Sequence, residues 1–408
     1  MSKKIIIIGT GFAGIWSALA AKRLAKLTQR ENELDILVIA PEPSLVIRPR
    51  LYEANSSEMT HSVETLFKEA GIQFVQGFVH TISAENNTVL VHSPTGTEST
   101  ISYDRMILAA GSSVVRPKSI PGIHEHAFDI DSLDSAVKLE SHLQSLGSLP
   151  ASLARDTIVV CGAGFTGIEL ATELPKRLPN SNTRILVVEG ANELGPELGA
   201  GPRPIITQAL NELGIEVKLG SLVSAIDGSG VTLASGERIE TNTAIWTAGV
   251  RASPLTQQIP APKDGLARLL VDGNLRVSSF RNIFATGDTA QAAADDKGHF
   301  ALMSCQHALS LGRVSGHNAA AELLGEALVL YDQPSYNCCL DLGAWGTVIA
   351  GGWDRKVKLT GDVAKRVKCL INQKLIYPPE NAEEAITMAN PIGPDSDALF
   401  EQLLKAVA

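Results

Sequence analysis

The sequence predicts an α/β protein built from two copies of one parallel-sheet unit, followed by a smaller α/β region. Two observations carry that reading. At two places a short apolar run passes into a glycine-rich hexapeptide and then into a helical stretch. Each copy is later closed by another apolar strand ending in Ala-Gly.

The first copy begins with Lys4, Ile5, Ile6, Ile7 and Ile8, a run suited to a strand buried on both faces. Gly9-Thr10-Gly11-Phe12-Ala13-Gly14 follows, then an Ala- and Leu-rich helix to about Lys26 and a buried strand over residues 35–40. The second copy runs Thr157-Ile158-Val159-Val160-Cys161 and Gly162-Ala163-Gly164-Phe165-Thr166-Gly167. A helix to about Arg177 and a strand over residues 184–188, ending in Glu189, complete it. The closing strands are Met106-Ile107-Leu108-Ala109-Ala110-Gly111 and Ala244-Ile245-Trp246-Thr247-Ala248-Gly249. Residues 117–150 read as a linker with a helix over 132–146. Asn282-Ile283-Phe284-Ala285-Thr286-Gly287-Asp288 forms a further strand and turn, and a helix covers about 304–324. From about Leu328 the chain reads as a hairpin around Gly351-Gly352, a basic helical stretch and a terminal helix.

A chain of 408 residues suits two or three domains, each with its own core. Its 44% hydrophobic and 19% charged content is that of a soluble globular protein. A net charge of −9 argues against nucleic acid as a partner, because phosphate neutralisation needs surplus Lys and Arg. No apolar run approaches the roughly 20 residues that span a bilayer. Cys161, Cys305, Cys338, Cys339 and Cys369 make neither a disulfide framework nor a metal-binding spacing, which suggests a reducing, cytoplasmic setting. The N-terminal apolar run superficially resembles a secretory leader, but cleavage near Ala20 would remove the glycine hexapeptide.

The hexapeptides follow the G-x-G-x-x-G pattern of dinucleotide binding. The first glycine permits a tight turn, the second admits a pyrophosphate against the backbone, and the third lets helix and strand pack closely. The helix N-terminus then presents free N–H groups to the phosphates. One copy is weak; two, each between strand and helix, predict two bound dinucleotides. An acid at the end of the second strand can hold a ribose hydroxyl. Glu189 does so in the second copy and would repel a 2′-phosphate, favouring NADH over NADPH. The first copy has Ala40 there, then Pro41 and Glu42, with Glu42 reaching the ribose from a displaced position or backbone groups taking over.

With these motifs and the Ala285-Thr286-Gly287-Asp288 turn, the chain resembles flavoproteins with two dinucleotide-binding domains, and most of all type II NADH dehydrogenases. The resemblance covers about residues 3–325. It is carried by Gly162-Ala163-Gly164-Phe165-Thr166-Gly167-Ile168-Glu169, by Arg48-Pro49-Arg50-Leu51-Tyr52-Glu53, by residues 283–288 and by Trp246-Thr247-Ala248-Gly249-Val250. It implies two Rossmann-like domains, one for FAD and one for NADH, plus the C-terminal region. FAD is then expected on Gly9, Gly11, Phe12, Ala13 and Gly14, on Ala40, Pro41 and Glu42, and around Arg48, Val79, Ala110, Gly111, Gly287, Asp288 and Gln306. NADH is expected on Gly162, Gly164, Phe165, Thr166, Gly167, Glu189, Ala248 and Gly249. The FAD domain would comprise residues 1–120 and 265–325, the nicotinamide domain with its linker 121–264, and the C-terminal domain 326–408.

In these enzymes electrons pass from NADH through FAD to a quinone beside a helix carrying two glutamines. Here Gln306 matches the first, Ser310 replaces the second, and Cys305 stands for an alanine. Glu169 is expected to orient the nicotinamide or relay a proton, and His307 to donate a proton to a reduced acceptor. Three functions therefore stand side by side. They are an NADH:quinone oxidoreductase, an NADH-dependent reductase of a small molecule or redox protein, and a slow flavoprotein like the apoptosis-inducing factor. The usual dithiol chemistry of disulfide reductases of similar architecture is excluded, because no cysteine precedes Cys161 and Cys161 sits alone in a strand. Cys338 and Cys339 read as neighbouring strand positions with free thiols rather than a strained disulfide.

The stretch 361–372 sets Val363, Val367, Leu370 and Ile371 on one helical face and Lys365, Arg366 and Lys368 on the other, with Arg355, Lys356 and Lys358 just upstream. A surface helix packed on the domain and solvated on its charged face is one reading; contact with anionic lipid at the cytoplasmic membrane face, or equally with an acidic protein partner, is the other. The terminal helix carries Leu399, Phe400, Leu403, Leu404 and Val407 as a stripe for packing or homodimer contact.

Overall fold

Short apolar runs fed by tight glycine turns dictate the two sheets. In the computed structural model, which describes residues 2–178 and 182–407, the first sheet orders Ile283–Ala285, Arg105–Leu108, Lys3–Ile8, Leu34–Ala40 and Gln73–Gln76. All four pairings are parallel. Ile5, Ile6 and Ile7 are fully buried because the sheet is covered on both faces. The second sheet repeats the arrangement with Ala127–Phe128, Thr243–Trp246, Thr157–Cys161, Arg184–Val188 and Glu216–Lys218, again all parallel. Each carries an antiparallel three-stranded sheet of its own, one over Phe78–Ser83, Thr88–His92 and Glu98–Ser102, the other over Val223–Asp227, Gly230–Leu233 and Arg238–Glu240.

The edge strands interleave the two units. The outer strand of the first sheet, Ile283–Ala285, comes after the whole second unit. The outer strand of the second, Ala127–Phe128, lies in the segment read as a linker, so that segment contributes a strand as well as its helix Leu133–Ser145. A two-residue strand carries too little periodicity to be seen in a sequence.

One helix pair holds the first unit together. The helix Phe12–Leu27 packs against the long helix Cys305–Leu324 at backbone contact. A Cβ on Gly312 would lie 2.4 Å from the Ala13 carbonyl oxygen, and one on Gly316 2.0 Å from that of Ser17. Only glycine fits at either place. Ser17 and Ser315 hydroxyls meet at 3.1 Å between the helices.

The C-terminal region is an antiparallel sheet, Asn337–Asp341, Thr347–Gly351 and Lys356–Thr360, with the helices Gly361–Leu370 and Ser396–Val407 packed on it. Cys338 and Cys339 occupy successive positions of the first strand, and all five cysteines are free. Phe400 and Leu403 of the terminal helix bury against Ile349, Ala364 and Val367. That stripe is thus a packing element of this region.

The basic stretch is not a uniform solvated face. Lys368 is buried on Glu169, Lys365 bonds Asp341, Lys358 bonds Asp397, and Arg355 is covered. Of the apolar side expected from helical periodicity, Val367 is buried and Leu370 and Ile371 are half-buried, but Val363 is exposed, and the destination of the charges depends on which acids the fold brings against them.

Candidate active site

The first glycine turn is shaped as a cradle. Gly9 has φ +114°, and a Cβ there would come 2.5 Å from the Ala109 carbonyl oxygen; one on Gly14 would come 2.0 Å from that of Gly9. A Cβ on Gly11 would meet nothing within 4 Å. The outer glycines are forced by backbone packing, and the middle one opens onto space at the start of a helix, where an oxygen-rich anion such as a pyrophosphate fits. Phe12 and Ala13 are buried just behind it. Ala40 is buried at the strand end, while Pro41 and Glu42 lie exposed at the rim. The Thr10 hydroxyl donates to the Glu42 carbonyl at 3.2 Å. Val79 sits half-buried on the antiparallel sheet, opposite Val91.

A polar cluster closes the other end of the first cradle. The Arg48 guanidinium pairs with Asp131 and donates to the Ser112 hydroxyl at 3.2 Å. Ser112 in turn donates to Asp288 Oδ2 at 2.6 Å, which lies 3.8 Å from Arg48 Nη1. Gly111, with φ +66° and half-buried Ala110 before it, faces Arg48; Gly287 approaches Ala13 so closely that a Cβ would come 2.9 Å from the alanine methyl. Arg48, Gly111, Gly287 and Asp288, drawn from three distant segments, therefore converge beside Ala13. Ser112 and Asp131 complete the cluster and had no motif to mark them.

The second turn repeats the geometry with one difference. Gly162 has φ +119°, a Cβ there would come 2.9 Å from Thr247 Oγ1 and 3.1 Å from the Ala248 amide nitrogen, and one on Gly167 would come 1.9 Å from the Gly162 carbonyl oxygen. At Gly164 the space is taken: Glu197 Oε1 would lie 2.6 Å from a Cβ. Phe165 is half-buried and Thr166 exposed at the helix start, and Gly249 ends the closing strand with φ +79°. Glu189 turns its carboxylate onto the cradle, accepting from the Ala163 amide at 2.7 Å and the Ala191 amide at 2.8 Å.

Glu169, one helical turn beyond Phe165, joins the cradle helix to the C-terminal region. Its Oε1 accepts from Lys368 Nζ at 2.9 Å and from the Asp341 amide at 3.0 Å. Burial pushes the Glu169 carboxyl up. Burial also opposes the charge on Lys368, but Glu169 and its neighbours outweigh this and raise the amine above its ordinary range. Asp341 accepts from Lys365 Nζ at 2.5 Å and from the Tyr52 hydroxyl at 2.9 Å. Glu169 thus stands within a buried network instead of being a free relay.

A cavity of about 1210 Å³ opens between these elements. Phe165 and Glu169 stand at one side, Cys305 and Gln306 at the start of the long helix, and Leu309, Ile371, Leu399 and Phe400 give it an apolar wall. Gln306 Nε2 donates to the Ser396 hydroxyl at 2.6 Å, so the terminal helix fixes its position. His307 departs from expectation. It is fully buried, stacks on Tyr336 at 4.9 Å, and hydrogen-bonds Ser304 through Nδ1 at 2.9 Å. Burial, with Arg355 and Arg268 nearby, lowers its pKa to about 3. A ring held neutral and away from the cavity wall is placed to pack, not to protonate an acceptor.

Two parallel sheets, each with a glycine cradle at the carboxyl end of its central strand, define an oxidoreductase of the two-dinucleotide class. The chain belongs to the pyridine nucleotide-disulphide oxidoreductase family, whose model matches residues 3–312. It is 42% identical to the NADH dehydrogenase-like protein Rv1812c of Mycobacterium tuberculosis, over 95% of this chain and 97% of that one. It is 30% identical to the demethylphylloquinone reductase NdbB of Synechocystis (92% and 91%) and 25% to the type II NADH:quinone oxidoreductase of Staphylococcus haemolyticus (92% and 95%). Its fold matches NDH2 of Plasmodium falciparum at a TM-score of 0.75 and 16% identity, over 95% of this chain and 97% of that one. A persulfide reductase from A. fulgidus matches at 0.70 and 20% identity, over 86% of this chain but only 64% of that longer one. The protein is an NAD(P)H-dependent flavin oxidoreductase of the type II NADH dehydrogenase kind.

Proposed function

We propose that this enzyme takes electrons from NADH and delivers them to a quinone-like acceptor in the 1210 Å³ cavity. The carrying observation is that cavity's position, walled at once by the second cradle helix through Phe165 and Glu169 and by the start of the long helix through Gln306. A bound FAD would supply the two-electron chemistry, accepting hydride and passing electrons onward.

The residues of the chain bind and orient. Gly9, Gly11 and Gly14 would seat the flavin pyrophosphate, with Arg48 and Asp288 holding the cofactor's middle and Glu42 at its ribose end. Gly162, Gly164 and Gly167 would seat the nicotinamide dinucleotide, with Glu189 on its ribose selecting against a 2′-phosphate. The apolar wall excludes water and suits a hydrophobic ring. Leu302, Leu330, Met388 and Ile392 line the cavity and are exposed, Leu330 and Ile392 by 68% and 72%, apolar surface suited to contact with a bilayer. No helix among the described residues is long and apolar enough to cross one.

The quinone names of two relatives support the acceptor class. Ser310, where the quinone-side pattern has a second glutamine, favours the second reading, a small soluble acceptor. The test begins with anaerobic addition of NADH to the FAD-loaded protein, which should bleach the flavin within the mixing time. A soluble quinone, ferricyanide and oxygen are then compared in turnover. Rapid bleaching with indifference to quinone would remove the quinone reading, and slow bleaching would remove both.

A further inference from the structure

The wall of this cavity contains a positive charge that the protein leaves without a counter-charge. Arg355 is only 7% exposed, and no carboxylate among the described residues lies within ion-pair distance of it. Its Nη1 is buried without an acceptor. Of the acids of the wall, Glu169 bonds Lys368, Asp395 bonds Ser335 and the amides of Asp397 and Ala398, and Glu197 lies over Gly164 and makes no ion pair with Arg355. Asp332 makes no ion pair with it.

The residue is also held firmly. Its backbone sits in the left-handed region, φ +56°, in the turn between the strands Thr347–Gly351 and Lys356–Thr360. A Cβ on Gly199 would come 2.8 Å from Arg355 Cγ, and one on Gly201 2.5 Å from its carbonyl oxygen, so the backbone of that loop packs directly on it. The guanidinium carbon lies 4.7 Å from the centre of the Tyr336 ring, which also lines the cavity. The Tyr336 hydroxyl donates to no acceptor among the described residues. His307 behind the ring offers no negative charge.

A cation–π contact recovers only part of what burying a lone cation costs, and non-glycine residues in this backbone region cluster at ligand clamps. A guanidinium and a phenol hydroxyl, both lacking protein acceptors on one cavity wall, make a matched pair of donors for an anion. We propose that the cavity seats an acceptor whose apolar body carries a carboxylate, with that carboxylate held by Arg355 and Tyr336. This rests on the reading of the cavity as the acceptor site.

The experiment compares two acceptors differing only in charge: a 1,4-naphthoquinone carrying a propanoate side chain, and its methyl ester. The wild-type holoenzyme should have a KM at least tenfold lower for the acid than for the ester. Arg355→Met should bring the two KM values within about twofold of each other, and Arg355→Lys, which keeps the charge but loses the fork, should give a ratio between. Equal KM values in the wild type, or an undiminished ratio in both variants, would overturn the proposal; should Arg355→Met not fold, an undiminished ratio in Arg355→Lys suffices. Anaerobic bleaching by NADH is read in the same samples. Loss of bleaching, or failure to reduce either quinone, strikes the proposed function, whereas bleaching and reduction without charge preference strike only the carboxylate site.

Discussion

Glu169 and Lys368, 199 positions apart in the chain, form an ion pair of 2.9 Å in which the side chains are 10% and 9% exposed. Through Asp341, Lys365 and Tyr52 the pair ties the second cradle helix to the C-terminal sheet and to the segment after Arg48. Removing one partner of such a pair strands a buried charge and costs about 3–5 kcal/mol, while removing both can be nearly neutral. Lys368→Met should therefore lower stability by about that amount in urea unfolding, as should Glu169→Leu, and the double variant should recover most of the loss. Additive losses in the double variant would mean that the two groups do not share their charge balance.

Glu189 accepts from two backbone amides at 2.7 and 2.8 Å, which orient its carboxylate at the cradle. A charged hydrogen bond to a ribose hydroxyl is worth roughly 1.5–3 kcal/mol. Glu189→Ala should raise the KM for NADH about 10- to 100-fold and narrow the preference over NADPH, since the repulsion of a 2′-phosphate goes with the carboxylate. Steady-state kinetics with both nucleotides check this; an unchanged preference would leave selectivity to another group.

The cradles could be read from the chain because their physics is local. A strand end, a turn at positive φ and a helix start need glycines at fixed spacing, and Gly9, Gly14, Gly162 and Gly167 each sit where a Cβ would strike backbone or a fixed side chain. Glu189 follows from the same local logic. Nothing local marks Lys368, Asp341, Tyr336 or Arg355, which come from the C-terminal region and meet the cradle helix and the long helix only in three dimensions. The periodicity of residues 361–372 revealed an apolar side, yet Lys368 and Lys365 turn toward buried acids that no spacing rule connects to them. Gly312 and Gly316 were hidden for a similar reason: a glycine at every fourth position of a helix has meaning only once its partner helix is known.

The two cradles differ at their middle glycine, and the difference predicts an effect on nucleotide binding. Gly11 faces open space, whereas Glu197 places a carboxylate over Gly164 from a turn bounded by Gly195 and Gly199, both at positive φ. A helix N-terminus attracts a carboxylate for the reason it attracts a phosphate, so Glu197 would compete with a pyrophosphate seated on this cradle. Glu197→Gln should tighten NADH binding about 2- to 10-fold, a gain of roughly 0.4–1.4 kcal/mol. Titration calorimetry on the FAD-loaded protein measures it directly. Weaker binding in the variant would assign Glu197 to holding the nucleotide.

The buried imidazole of His307 predicts an acid sensitivity with a definite sign. Its pKa falls from 6.5 to about 3 through burial, then through Arg355 and Arg268. In the unfolded chain it takes up a proton near pH 6.5, while in the folded protein it does not until about pH 3. Between those values the unfolded state binds more protons, so stability is complete above about pH 6.5 and declines as the pH falls through this window. From pH 7.5 to pH 5 the loss from this one group amounts to about 2 kcal/mol. Replacing His307 by Gln removes that titration, although it also costs stability at every pH through lost stacking on Tyr336. The readout is therefore the change between pH 7.5 and pH 5 in urea unfolding free energy, which should be smaller in His307→Gln than in the wild type by about 2 kcal/mol. Equal pH slopes in the two proteins would show that the ring accepts a proton in the folded state, and the proton-donating role would return.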